Sequence, residues 1–165
     1  MKLKKFFKFL HHYTKKKENP IKISGTFLYF DTKNGNGRIY PQKLAGDILS
    51  ALQNDIKNGN VLGELGFPER FEVSLANVSH IVEEVHFNSK QNSIEGTIRV
   101  LEGTPNGNRL LNMIDYDPEK FNKMFVVRSR GAGTVNENGE VENYKLYSFD
   151  IIPKDQDSFK NIQQL

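Results

Sequence analysis

Several stretches of the chain alternate hydrophobic and polar positions with the two-residue period of a β-strand. Within residues 94–101, Ile98 and Val100 fall on one face of such a strand, and Thr97 and Arg99 fall on the other. β-branched and aromatic residues favour strands in four further stretches. These are residues 21–30, where Gly25 indicates a bulge, and residues 73–87, 125–129 and 144–152.

The segment between the first two of these predicted strands has the hydrophobic period of a helix. Leu44, Ile48, Leu52 and Ile56 recur at every fourth position, so they share one face of a helix. This spacing predicts a helix over residues 44–57, which ends before an Asn-Gly pair, a common stop signal.

Two dipeptides that end in proline mark the starts of shorter helices. Thr104 suits the cap of a helix that begins with Pro105, because a threonine hydroxyl accepts a hydrogen bond from the helix N-terminus. The Asp-Pro pair at 117–118 begins another short helix. The glycines and proline of residues 63–69 predict a loop. Together the elements predict a β-rich α+β domain, a small barrel or curled sheet with helices packed outside.

Length and composition narrow the class of protein. The 165 residues suit one domain, and no apolar run approaches the roughly 18 residues of a membrane-spanning helix. The absence of cysteine excludes disulfides, a thiolate metal site and a cysteine nucleophile. We divide the chain into a basic arm at 1–19, a folded domain at 20–153 and a polar tail at 154–165.

Positive charge is concentrated in the arm. Residues 1–17 carry seven lysines and no acidic residue, a net +7, whereas the whole chain carries +3, so the remaining 148 residues carry −4. The body is therefore not expected to bind nucleic acid. The apolar face of the arm is short for membrane-surface binding. A solvated extension, a docking segment for an acidic partner or scaffold, and a removable leader stay open as roles for the arm.

The strand-like residues 125–129 end in Ser129, which lies between Arg128 and Arg130 and is followed by a glycine-rich bend. A serine in this position suits a nucleophile, and the N–H groups of Arg130 and Gly131 can stabilise a tetrahedral oxyanion if the bend faces the site. An ordinary strand end followed by a turn has the same pattern.

The candidate base is a histidine of the body. His11 and His12 lie in the arm, whereas His80 and His86 share one predicted strand. Alternation places both of these on one face with Glu84. Residues six apart in a strand are separated by roughly 20 Å, too far to share one metal ion. We therefore expect no metal site and no cofactor.

Ser129 and His80 are the natural nucleophile and base of a chain without cysteine. A third group must orient the base, and the periodicity of the chain does not select it. The candidates are Asp150, Glu64, Glu83 and Glu84.

Six short segments, taken in order, resemble the prohead proteases, which are the capsid-maturation proteases of tailed bacteriophages and are related in fold to herpesvirus assemblin. The resemblance runs over residues 34–153, most of the body. The segments are NGRIYP (36–41), GELGFP (63–68), VSHI (78–81), TPNG (104–107), SRGAG (129–133) and FDII (149–152).

The resemblance implies a serine endopeptidase with Ser129 as nucleophile and His80 as base, in a β-barrel surrounded by helices as in the herpesvirus proteases. Phage relatives cut scaffold and capsid-protein extensions inside the immature head in the host cytoplasm, commonly after glutamate, and cut themselves. By position we expect Asp150 as the third member, with Glu64 as the alternative.

Other expectations also follow from the resemblance. A substrate glutamate calls for an arginine, and Arg128 and Arg38 are candidates because arginine binds carboxylates with two hydrogen bonds. Two positions depart from the family pattern: Phe67 replaces a common histidine, and Arg128 replaces a common serine, which leaves Ser129 as the only serine of its motif. The alternative function is an inactive capsid-assembly or scaffold protein of the same fold, and a homo-oligomer stays open.

Overall fold

The computed structural model describes residues 19–160. Residues 1–18 of the predicted arm and residues 161–165 of the predicted tail lie outside the described residues, and so do His11 and His12. Within the described part, no helix is long and apolar enough to cross a membrane.

Four strands form an antiparallel sheet in the order β1-β4-β3-β2. The bulge predicted at Gly25 is displaced, because Gly25 pairs directly with Gly96 and the register shifts between Thr26 and Leu28. The additional residue in the bulge is Phe27, whose fully buried ring occupies the space over Gly96. The strands are β1 (Lys22–Tyr29), β2 (Leu62–Glu64), β3 (Val78–Asn88) and β4 (Ser93–Val100).

Two predictions around β3 were wrong. Residues 73–77, predicted as strand, form a loop and the 3₁₀ turn Leu75–Asn77. Conversely, Gly63 and Glu64, predicted as loop, belong to β2, because backbone pairing with β3 holds this glycine-containing segment extended.

The predicted helices are confirmed. The main one spans 44–57 as expected, both proline-marked helices begin at their proline, and Thr104 is the cap that was expected. Asp117 is a second cap, which was not predicted. Thr104 Oγ1 accepts from Gly107 N at 3.0 Å, and Asp117 Oδ1 accepts from Lys120 N at 2.9 Å. The helices are α1 (Leu44–Lys57), α2 (Pro105–Tyr116) and α3 (Pro118–Met124).

The last two strands, β5 (Phe125–Val135) and β6 (Val141–Pro153), form an antiparallel hairpin of their own. It joins the larger sheet at one bridge between Leu65 and Ile151, and Gly66 N donates to Ile151 O at 2.7 Å. On its other side, β5 lies beside β1, and a cleft of about 320 Å³ opens between these two strands.

The predicted class is confirmed at the level of a β-rich fold with helices and antiparallel sheets. The predicted barrel is not closed by a continuous ladder within residues 19–160, because the strands form two separate sheets. The core lies between the sheets and α1. Its largest fully buried apolar side chains are Phe27, Leu28, Phe30, Ile94, Ile98, Leu110, Phe149, Ile151 and Ile152.

Candidate active site

Ser129 lies within β5, where this strand pairs with β6. Its partner across the ladder is Phe149, and the register shifts one residue later, between Arg130 and Gly131. Ser129 is partly exposed, whereas the Phe149 ring is fully buried. The candidate nucleophile is therefore held by strand pairing and stays partly accessible to solvent.

His80 lies on β3 and is fully buried. Its Nε2 lies 2.8 Å from Phe149 O, and its Nδ1 lies 2.8 Å from Ser79 Oγ. A carbonyl oxygen only accepts hydrogen bonds, so Nε2 must carry the proton and donate it. Nδ1 of the neutral ring is then the acceptor, and the Ser79 hydroxyl donates to it.

The electrostatic setting of His80 favours this neutral ring. Burial lowers the pKa of His80 to about 4, because an imidazolium would lose its hydration, and the hydrogen bond to the Phe149 carbonyl opposes this only in part. The ring is consequently uncharged at neutral pH.

Gly63 brings the backbone of β2 against the same ring. It pairs with His80 across the β2–β3 ladder. A Cβ at position 63 would overlap both the Nε2 edge of the ring and the Phe149 carbonyl oxygen. Only a glycine leaves room for the hydrogen bond between His80 and Phe149.

The structure brings the two predicted catalytic residues to the same place through Phe149. This residue pairs with Ser129 on one strand and binds the His80 ring with its carbonyl. Both ring nitrogens of His80 have other partners, so the ring and the Ser129 hydroxyl are not hydrogen-bonded to each other in this conformation.

Two of the four carboxylates considered for the third role, Glu64 and Asp150, pair with Arg130 and not with the His80 ring. Arg130 lies between them, with its guanidinium 2.7 Å from Glu64 Oε2 and its Nε 2.7 Å from Asp150 Oδ2. Arg70 also pairs with Glu64, and Ser148 Oγ donates to Asp150 Oδ1 at 2.7 Å. Asp150 as the third member, with Glu64 second, stays a prediction.

The surroundings of Asp150 in this buried cluster also change its pKa. Burial raises the pKa of this carboxyl group, and the Ser148 hydroxyl, the Glu64 N–H and the Arg130 guanidinium lower it in part. Of the other two carboxylates, Glu83 pairs with Lys22 and Arg99 at the surface, where these cations lower its pKa.

Glu84 lies on the exposed part of β3 near His86, with 3.9 Å between Oε1 and the ring Nδ1. A register shift between Val82 and Glu84 interrupts the alternation that was expected to align His80 with both residues. Among residues 19–160, no group of three or more acidic or histidine side chains is placed to hold a metal ion.

The residues predicted as the oxyanion bend, 130–133, continue β5 with two register shifts and do not form a turn. The Tyr144 ring lies directly over Gly131, where a Cβ would overlap it. Burial and the nearby Tyr40 raise the pKa of Tyr144, and the neighbouring Ser129 side chain opposes this rise. Tyr144 therefore covers the backbone next to the candidate nucleophile.

The two arginines predicted to bind substrate differ in their surroundings. Arg128 forms a two-point pair with Asp157 at 2.9 and 2.8 Å and lies over the rings of Tyr29 and Phe159. Arg38 is exposed. Burial raises the pKa of the nearby Tyr40, and the charge of Arg38 lowers it in part.

Sequence reasoning gave no role to Ser79, Gly63 or Tyr144, although the first two stand in family-like segments. Successive residues of a strand point to opposite faces, so Ser79 was not expected to contact His80. The contacts of Gly63 and Tyr144 depend on strand pairing between segments distant in sequence, which no local pattern reveals.

Comparison with known proteins identifies the class of the molecule. The sequence model of the prohead core protein serine proteases matches residues 11–151. The chain belongs to this family, because the match covers most of its length. The predicted resemblance and the predicted function, a phage head maturation protease, are thereby confirmed.

A solved structure supports the same assignment. The chain is similar to the bacteriophage T4 capsid assembly protease, gp21, with a TM-score of 0.69 and 26% sequence identity. The similar region covers 81% of this chain and 81% of that chain. No curated protein sequence matches the chain.

Proposed function

We propose that the chain is an active serine endopeptidase in which Ser129 is the nucleophile and His80 the general base. The observation that carries the proposal is the shared contact with Phe149, which pairs with Ser129 and binds the neutral imidazole of His80. A base must be unprotonated before it takes a proton, and the lowered pKa of His80 provides this state at neutral pH.

The reaction begins with the release of His80 Nε2–H from the Phe149 carbonyl. Nε2 gives its proton to water and Nδ1 takes one from water, so that Nε2 becomes the bare nitrogen that can accept a proton. Ser129 Oγ attacks the scissile carbonyl carbon while its proton passes to Nε2, and a tetrahedral intermediate forms. The N–H groups of Arg130 and Gly131 are the proposed donors to the oxyanion. The protonated imidazole then gives its proton to the leaving amine, and water hydrolyses the acyl-enzyme.

Tyr144 must move for this oxyanion site to form. Its ring covers the Gly131 backbone, which is to supply one of the N–H groups. The proposed active conformation therefore differs from the described one at two contacts of β6, those of Tyr144 and of the Phe149 carbonyl.

The proposed substrates are the scaffold and capsid proteins of the same phage, cut inside the prohead, where a prohead core protease is expected to work. If the substrate presents a glutamate, Arg38 is the better placed of the two arginines, because it is exposed. At Arg128 the substrate carboxylate would have to displace Asp157.

The direct test mixes purified full-length protein with the scaffold and capsid proteins of its phage and follows cleavage by mass spectrometry. Ser129→Ala and His80→Ala should each lower the cleavage rate by about 10³-fold or more. The control is Ser24→Ala, which removes an exposed serine hydroxyl from β1 and should keep the full rate. Unchanged cleavage by Ser129→Ala would contradict the assignment.

The alternative is a capsid-assembly protein without activity, which the family membership does not favour. A fluorophosphonate probe separates the two functions. An active enzyme should be labelled at Ser129, and the Ser129→Ala variant should not be labelled. Absence of labelling and of cleavage in the wild-type protein would support the inactive scaffold protein.

We also propose that the six strands correspond to the barrel of herpesvirus assemblin, opened between β1 and β5. The bridge between Leu65 and Ile151, which places β2 beside β6, supports this arrangement. Superposition of a crystal structure of this protein on assemblin should align the six strands with the same connectivity, and a different strand order would contradict it.

A further inference from the structure

Ser79 and His80 are consecutive residues of β3, and both are fully buried. The Ser79 hydroxyl lies 2.8 Å from Nδ1, the ring nitrogen that does not contact Phe149. We propose that Ser79 is the positioning residue of His80, in the place where other serine proteases use a carboxylate. The proposal rests on the function proposed above, with His80 as the base.

A hydroxyl suits this position because it both donates and accepts. In the described conformation the ring carries its proton on Nε2, and Ser79 donates to the bare Nδ1. To act on Ser129, the ring needs a bare Nε2 and a proton on Nδ1. The exchange takes one proton from Nε2 to water and one from water to Nδ1, and the Ser79 hydroxyl then rotates to accept from Nδ1–H.

The buried carboxylates have other partners in the described structure. Asp150 and Glu64 are both paired with Arg130, and none of their hydrogen bonds includes the His80 ring. Among the described side chains, Ser79 is therefore the one seen to hold Nδ1. Its hydroxyl can hold the ring plane in both neutral tautomers, by donating to bare Nδ1 or by accepting from Nδ1–H. It does so without placing a charged group against the ring.

The variant Ser79→Ala removes the hydroxyl, and Ser79→Thr retains it. Loss of one buried hydrogen bond to the base should lower kcat by about 10-fold, with KM unchanged, because the substrate does not contact Ser79. The threonine variant should recover most of kcat. Ser93→Ala is the matched control, since Ser93 is a fully buried strand serine whose hydroxyl has no partner within residues 19–160.

A spectroscopic measurement on the full-length protein tests the contact independently of activity. In ¹⁵N NMR of histidine-labelled protein, His80 is assigned by its absence from the His80→Gln variant. Its Nδ1 resonance should move in Ser79→Ala toward the position of a nitrogen without a hydrogen-bond donor. It should stay in place in Ser79→Thr and in Ser93→Ala.

The outcomes separate the two proposals. An unchanged Nδ1 resonance in Ser79→Ala overturns the positioning role, and so does an equal loss of kcat in the alanine and threonine variants. If the wild-type protein shows no cleavage that depends on Ser129, the proposed function fails, whatever the resonance shows. A shifted resonance together with a kcat loss that threonine restores supports both.

Discussion

His80 shows how burial acts in two directions on one residue. Burial keeps the imidazole neutral, which a base requires, but the pKa of about 4 also makes it a weak base. The loss of the Phe149 contact would free Nε2 but would also remove a hydrogen bond that raises the pKa of the ring. A peptide entering the site would bring polar groups beside the ring in its place. We therefore expect the base to become stronger only when substrate is bound.

At position 63 only glycine leaves room for the buried His80 ring. In Gly63→Ala the new methyl group would overlap the ring and the Phe149 carbonyl oxygen. Overpacking of this kind costs typically 1–3 kcal/mol, so we expect the free energy of unfolding in urea to fall by about 2 kcal/mol. The variant should also lose cleavage activity, because the ring must be displaced.

The matched control is Gly25→Ala, at a strand glycine where the new methyl group would meet no atom of another segment within 4 Å. We expect its stability to stay the same or to rise by up to about 1 kcal/mol, since alanine restricts the unfolded chain. Equal stability losses in the two variants would show that the effect at Gly63 comes from the strand and not from the His80 contact.

Residue identity was easier to predict than residue contacts. Ser129 and His80 were selected because the chain has no cysteine and because the resemblance to prohead proteases implies them, and their catalytic roles stay predictions. The carboxylate could not be selected, because Glu64, Asp150 and Arg130 become neighbours only when β2, β5 and β6 meet. The role of Ser79 contradicts simple alternation, since a rotated imidazole reaches the hydroxyl of the preceding residue.

At the level of elements, the buried ion cluster connects three strands around the candidate nucleophile. Arg130 follows Ser129 on β5 and pairs with Glu64 of β2 and Asp150 of β6. It also donates to Arg70 O at 2.8 Å, which fastens the loop after β2. This cluster holds together the strands that carry the site.

Replacing Arg130 should therefore cost more than the loss of an ordinary ion pair. In Arg130→Gln the buried Asp150 carboxylate loses its cation and Glu64 keeps only Arg70. Breaking such a buried pair costs about 3–5 kcal/mol. We expect the free energy of unfolding, measured in urea, to fall by that amount. Adding Glu64→Gln and Asp150→Asn to the same chain should recover part of the loss, because no buried charge is then unpaired.

Arg99→Gln provides the surface control, since Arg99 is partly exposed and pairs with Glu83 at 2.6 Å. Exposed pairs contribute at most about 1 kcal/mol. A loss at Arg130 no larger than the loss at Arg99 would contradict a structural role for the cluster.

The elements that local chemistry determines were predicted well. The helix over 44–57, the cap at Thr104 and the helix that begins at Pro118 follow from spacing and from side chains within four residues. The short strand β2 was missed because its extended form comes from pairing with β3 and not from β-branched residues of its own. The elements that were not predicted from the sequence depend on tertiary contacts.

On the scale of the whole molecule, the two sheets share one core although one bridge joins their ladders. Phe27 of β1 and Phe149 of β6 lie with ring centroids 4.9 Å apart, so the sheets pack face to face around the residue that links the candidate catalytic pair. A barrel was a reasonable expectation from the strand count. β1 and β5 lie side by side without a ladder between them. Whether two such strands pair depends on long-range packing, which the hydrophobic pattern does not encode.

This packing makes the stability of the molecule depend on the protonation of His80. The pKa is about 4 in the folded protein and 6.5 in the unfolded chain. Between these values the unfolded chain binds more protons, so stability is complete above pH 6.5 and is lost as the pH falls toward 4. The linked loss is about 3 kcal/mol between pH 7 and pH 4.

The measurement compares urea unfolding of the wild-type protein and of His80→Gln at a series of pH values. The rise in the Asp150 pKa acts in the opposite direction, because a folded state that holds its proton more tightly gains stability as the pH falls. This effect is present in both proteins and cancels in the difference. The wild-type protein should therefore lose about 3 kcal/mol more than the variant, and parallel curves would mean that His80 is not buried in solution.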